Sequence, residues 1–170
     1  FINCCESEFS IATVEKSGAN PLNPIRQFYK IREARKSADK VIVIVHGGHE
    51  HFNLPSLRMK ETYRFFVDAG ADVVVNHHQH CYSGYEIYKS SLIFYGLGNF
   101  CFDRIPVVND KWNYGFMLQL DITVTNLDFR ILPFCQCAES PSVVMLSNDA
   151  FAEHLERLNR IIVDERNLKF

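Results

Sequence analysis

The apolar positions of the chain fall into runs whose spacing predicts the elements in order. VIVIV, from Val41 to Val45, is a continuous β-branched run, the pattern of a strand buried on both faces, and it ends in His46-Gly47-Gly48. Upstream, Asn23-Pro24 marks a helix start with Asn at the cap and Pro in the first turn. Ile25, Phe28 and Tyr29 then predict an apolar face on a helix running to about Ala38. Pro55 and Ser56 open a second helix, with Met59, Tyr63, Phe66 and Val67 at helical spacing and Gly70 as its stop. Val73 to Val75 form a second all-apolar strand. Strand, helix and strand in this order predict a βαβ unit with parallel strands and a right-handed crossover.

A short extended piece follows around Ile87 and Tyr88, then SLIFYG from Ser91 to Gly96. From Tyr114 the pattern alternates, with Phe116, Leu118, Leu120 and Ile122 on one face. TNLD, Thr125 to Asp128, is the expected turn into a return strand over Phe129 to Phe134. Phe151, Leu155, Leu158 and Ile162 form the stripe of a core-packing terminal helix, with His154 on its solvated side. The fold class is α/β with an antiparallel margin.

Composition narrows this little. At 170 residues the chain is the size of one domain, and 47% hydrophobic with 22% charged residues is ordinary for a globular protein. A formal net charge of −2, with no Lys/Arg block, argues against a nucleic-acid surface. No apolar run approaches the roughly 20 residues of a transmembrane segment. FINCCESEFSIATV reads as extended from its first residue, which fits either a trimmed chain or a fold that starts upstream. Cys4, Cys5, Cys81, Cys101, Cys135 and Cys137 read as small buried hydrophobes, not a disulfide framework, and Cys135-x-Cys137 is too tightly spaced for a structural zinc knuckle. Unpaired cysteines lean towards a cytoplasmic location.

The chemistry concentrates in histidine. Six of the seven histidines, His46, His49, His51, His77, His78 and His80, lie in two loops, each following one of the two parallel strands. In open α/β sheets the loops at the carboxyl ends of strands form the ligand-binding edge, so HGGHEH and NHHQH are expected to meet there. Imidazoles packed this closely repel once protonated, and a divalent metal that takes their lone pairs keeps them neutral. Side chains two apart in an extended segment share a side, so His78 and His80 are expected to reach one metal while His77 faces away. Glu50 is the sole carboxylate in these loops. A lone loop histidine is ordinarily just solvated; two dense clusters at the ends of two buried strands point to a site. Gly47-Gly48 would let backbone approach a ligand, whereas Gly96-Leu97-Gly98-Asn99 fits no phosphate-cradling fingerprint and reads as a turn.

ADKVIVIVHGGHEH, FFVDAGADVVVNHHQH and YEIYKSSLIFYGLGNFCFD together resemble the bacterial capsule-synthesis (CapA-like, poly-γ-glutamate biosynthesis) proteins, a branch of the calcineurin-like metallophosphoesterases. The likeness covers Ala38 to Asp103, with a weaker extension back to Asn3. It implies that His46, His78 and His80 are metal ligands. Glu50 would be a second-shell or substrate-facing group, with His77 and His49 neighbouring the site and Glu86 and Asn99 supporting it. It implies divalent metal ions, Mn, Fe or Zn, and a phosphoester or capsule-polymer-related substrate. It also allows a cell-envelope location.

Asn76 stands where the family tends to have Gly, Gln79 where it has Pro, Gly48 where it has Trp and Gly96 where it has Ser; none of these removes an implied ligand. The superfamily's D-x-H and N-H-[DE] motifs do not occur in these 170 residues. The expectation is therefore the C-terminal half of a metallophosphoesterase-like αββα sandwich with mixed sheets, a single partial domain over 1–170. Its metal-loop region would lie at 38–103, with a β-hairpin and terminal helix at 114–170. An N-terminal half or a second chain would complete it. The implied function is a metal-dependent phosphoester hydrolase of the capsule-synthesis branch. The alternatives are a non-catalytic metal-binding module in capsule polymer synthesis or export, and a closed structural zinc domain.

Overall fold

The computed structural model describes residues 1–7, 11–102, 110–137, 142–147 and 149–164; Asp103, where the family likeness ends, lies outside them. The elements run β1 (Ile2–Cys5), α1 (Pro24–Ala34), β2 (Ile42–His46), α2 (Leu57–Ala69), β3 (Val73–His77), β4 (Tyr85–Tyr88), β5 (Ser91–Phe94), α3 (Asp110–Asn113), β6 (Tyr114–Ile122), β7 (Leu127–Gln136), β8 (Val143–Met145) and α4 (Asp149–Val163). They make an α/β fold with a mixed five-stranded sheet, order β1-β2-β3-β5-β4, and an antiparallel sheet β6-β7-β8. Only β4 runs antiparallel to its neighbour in the first sheet, at its edge.

Strand alternation assigns each face of the first sheet to a different core. Val43, Val45, Val74, Ile93 and Tyr95 point to α1 and α2, against Ile31, Met59, Tyr63 and Phe66. Ile42, Val73, Val75, Leu92 and Phe94 point the other way, towards Phe116 of β6 and Phe151, Leu155 and Leu158 of α4. The expected β6 stripe of Phe116, Leu118 and Leu120 faces this second core. Buried Lys60 of α2 donates its ammonium to the carbonyl of Ile162, holding the end of α4. Ser56 caps α2 by accepting from Met59 N–H, and Gly70 ends it at φ +120°, a conformation that favours glycine. No described helix is long and apolar enough to cross a membrane.

Five local expectations are corrected. The first helix stops at Ala34, not near Ala38, because Arg35 turns its guanidinium onto Asp39 O and the Asp72 carboxylate, folding the chain back. Its buried face is Gln27 and Ile31, while Ile25 and Tyr29 are about 70% exposed. The Gln27 amide donates to Pro21 O, so a hydrogen bond joins the burial of Ile31 in orienting that helix. The hairpin turn is Thr123–Asn126, two residues early, closed by Thr123 N–H to Asn126 O and by Thr123 Oγ1 accepting from Asn126 N–H. All six cysteines are described and none is in a disulfide; Cys101 is exposed and Cys135 half-buried, the others buried.

The fifth correction concerns His154, which is half-buried and not solvated: the Tyr82 hydroxyl and its Nδ1 share a hydrogen bond, and the two rings meet edge-on. Burial, with Arg157 and Lys111 nearby, lowers its pKa from 6.5. A histidine with a depressed folded pKa contributes stability that is present above the unfolded value and lost as pH falls below it. Wild-type unfolding free energy is therefore expected to fall between pH 7 and pH 5 more steeply than that of His154→Gln. Parallel denaturant titrations at both pH values would show it; identical slopes would remove the assignment.

Candidate metal centre

β2 and β3 are adjacent and parallel, and their register sets His46 directly beside His77. Both are last residues of their strands, so both histidine loops emerge at one carboxyl edge, as the βαβ reading expects. The two rings contact edge-on, with Nδ1 atoms 3.1 Å apart, which requires one to donate and the other to accept. Burial and the neighbouring His46 and His78 lower the pKa of His77, favouring its neutral ring. His78 packs against the other side of His46 at a ring separation of 4.7 Å.

The chain leaves the strand after His77. His78 and His80 take φ values of 129° and 59°, so they are not the extended pair the alternation predicts. They nevertheless converge, because the turn buries Gln79 between them. Gln79 and Asn76 form one polar layer under the site. Asn76 Nδ2 donates to Gln79 Oε1, Gly47 O and Tyr95 O, Gln79 Nε2 donates to Tyr95 O, and the Tyr63 hydroxyl donates to Asn76 Oδ1. The two departures from the family pattern at these positions are thus one hydrogen-bonded unit, which ties the His77–His80 turn to the His46 loop.

Among the described residues one group of three donors could hold a metal ion: Glu50, His78 and His80, whose candidate ligand atoms lie within 4.8 Å of one another. Glu50 Oε1 stands 3.9 Å from His78 Nε2 and 3.8 Å from His80 Nε2, too long for direct hydrogen bonds. Two imidazole nitrogens and a carboxylate around a shared space are a donor set suited to Mn, Fe or Zn. His46 lies beside this group and outside it. His49 is exposed and edge-on to Phe52. His51 is also exposed; its N–H donates to Gln79 O, and its ring lies 5.8 Å from that of Trp112.

His80 is held in one tautomer. Asn99 donates its amide to His80 O and Trp112 O, so its Oδ1 accepts from His80 Nδ1 at 2.8 Å, leaving the Nε2 lone pair aimed towards Glu50. Partners of this kind typically change metal affinity about 10- to 100-fold. Asn99→Ala should weaken metal binding by that factor in chelator competition, and Asn99→Asp, which keeps an acceptor, should lose less. Equal losses would remove the orienting role.

Glu6 and Trp112 belong to this neighbourhood although the histidine pattern does not point to them. Glu6 follows β1 at the same sheet edge; its carboxylate accepts from Gly48 N–H at 2.9 Å and from Arg58 at 3.1 Å, clamping the loop that carries Glu50. A Cβ on Gly47 would stand 2.7 Å from the Glu6 side chain, which explains that glycine. The edge rule, applied to the first strand as well, would have found Glu6. Trp112 stacks on His80 at 4.8 Å across a separation of 32 residues, and nothing local announces it.

Residues 6–104 match the family model described as bacterial capsule synthesis protein PGA_cap. The capsule biosynthesis protein CapA of Bacillus anthracis is 42% identical over 99 residues, which cover 56% of this chain and 24% of that protein. The PGA biosynthesis protein CapA of Bacillus subtilis strain 168 is 44% identical over 87 residues, covering 51% of this chain and 23% of that protein. The matched stretch thus spans about a quarter of the length of these relatives. With more than half of its residues inside the family match, and both histidine loops among them, the chain belongs to the bacterial capsule synthesis protein family PGA_cap.

Proposed function

We propose that this chain carries the histidine-rich part of a metal-dependent phosphoester hydrolase of the capsule-synthesis branch, a partial domain completed by an N-terminal half or a second chain. The observation that supports this most is the convergence of Glu50, His78 and His80 at the carboxyl edge of a parallel sheet. When bound there, a divalent ion would supply Lewis acidity to a phosphoryl oxygen. The chain's own residues do the positioning. Asn99 presents the Nε2 face of His80, the Asn76–Gln79 layer fixes the turn beneath, and Glu6 steadies the loop bearing Glu50. In the His46–His77 pair at the same edge, the ring that accepts at Nδ1 keeps an Nε2–H that could donate to a non-bridging oxygen of the substrate.

A single three-donor group among the described residues also fits the alternative, a non-catalytic metal-binding module in capsule polymer synthesis or export. Turnover of bis(p-nitrophenyl) phosphate by the Mn-loaded protein, lost in His78→Ala/His80→Ala, would support the hydrolase. Metal binding that is lost in the variant without turnover in either protein would leave the binding module.

A further inference from the structure

The histidine edge opens onto a groove of about 820 Å³, a volume typical of small-ligand sites. His46, His77, His78 and His80 stand at one end. Apart from Asn99, the remaining lining is apolar, with Leu97, Phe100, Phe102, Met117, Leu118 and Phe134. Two of these aromatic rings are kept in water at the lip, Phe100 at 54% and Phe102 at 42% exposure. Each is fixed edge-on to a neighbour, Phe100 to Phe134 at 5.4 Å and Phe102 to His80 at 5.3 Å. Exposed aromatic rings held in place beside a polar cluster mark a surface shaped for apolar contact. No lysine or arginine is among the described residues lining the groove, so those residues offer a polyanion no counter-charge.

Polar donors at one end and an uncharged apolar trough leading away from them match a ligand with the same asymmetry. We infer, on the proposed-function reading of the histidine edge, that the substrate is an alkyl phosphoester. Its single phosphoryl group would sit at the histidines, and its hydrocarbon chain would run along the apolar lining past Phe102, Phe100 and Met117. The head would be recognised by histidine N–H donors and a divalent ion held beside them, and the chain by burial.

The test titrates methyl, butyl, octyl and decyl phosphate into the purified protein with Mn²⁺ present, read by calorimetry. Affinity should rise with chain length, by about fourfold for each methylene that becomes fully buried, until the trough is filled. Phe100→Asp, at an exposed position and checked for an unchanged melting temperature, should weaken decyl phosphate at least tenfold and leave methyl phosphate unaffected. Met117→Asp, on the same lining, should act in the same way. Flat affinity across the series, with methyl phosphate still bound, would overturn the inference while leaving the proposed phosphoryl site standing. Decyl trimethylammonium binding as tightly as decyl phosphate would instead overturn the phosphoryl assignment itself. Tighter binding of an oligo-glutamate than of decyl phosphate would also overturn it, by showing that the trough takes a polyanion.

Discussion

Metal carried by the purified chain is expected to fall to background when His78 and His80 are both replaced by alanine. Structural metal sites with four ligands are worth about 10–16 kcal/mol, or about 3 kcal/mol per ligand, so losing two should cost roughly 10⁴-fold or more in affinity. Glu50 alone cannot compensate, since its side chain is 54% exposed and solvated. Binding at 100 times the dissociation constant stabilises a folded protein by about 2.7 kcal/mol, which for this size is roughly 5–10 °C in melting temperature. That metal-dependent shift should be present in the wild type and absent in the double variant. His46→Ala is the discriminating control. Its ring is 4.7 Å from His78, but it lies outside the three-donor group, so it should reduce affinity less than His78→Ala does. A larger effect from His46 would move the ion towards the His46–His77 pair. Equal metal in wild type and double variant would remove the site altogether.

The parts of the fold that were legible in the sequence are those decided by local chemistry. β-branched runs gave β2 and β3, the capping residues gave the starts of α1 and α2, and alternation gave β6. Topology then carried the reading further than any motif, because parallel neighbours must bring their following loops to one edge, and His46 does pair with His77. What failed depended on partners distant in sequence. Ile25 and Tyr29 are as apolar as a core face requires, yet the Gln27 bond to Pro21 and the burial of Ile31 turn them to water. His154 sits on the polar side of its helix, and Tyr82, 72 residues away, covers it. Within the site, the residue types and the pairing of His78 with His80 were visible, but the backbone that pairs them and the place of Glu50 beside them were not. Left-handed backbone at His78 and His80, the Asn99 contact and the Glu6 clamp all arise from packing between elements. Six histidines in two loops could be found and His78 and His80 singled out from them; that Glu50 stands with those two could not.

Glu86→Ala is expected to cost about 3 kcal/mol of stability, lowering the melting temperature by roughly 6–12 °C. Glu86 lies on the edge strand β4 with 3% of its side chain exposed. It accepts from Arg64 Nε at 3.0 Å and Nη2 at 2.6 Å, and from the Tyr95 hydroxyl at 2.5 Å. Burial and the adjacent carboxylate push the Tyr95 hydroxyl far above its usual titration range, so it remains a donor and needs an acceptor. Truncating Glu86 strands two donors: Tyr95, fully buried, and Arg64, whose side chain is 22% exposed. The larger penalties found when a buried pair is broken are not expected, because Arg64 keeps some access to water and packs over the Tyr88 ring at 5.1 Å. Removing both charges should recover much of the loss, so Arg64→Met/Glu86→Leu should melt above Glu86→Ala; a double variant no more stable than the single one would count against this account. Tyr95 links this scaffold to the site, since its carbonyl accepts from both Asn76 and Gln79. That link is backbone-borne and survives the substitution as long as β5 stays paired. Metal affinity at 20 °C should therefore change by less than threefold while the melting point drops. A parallel fall in both would mean that the β4 edge shapes the histidine turn directly.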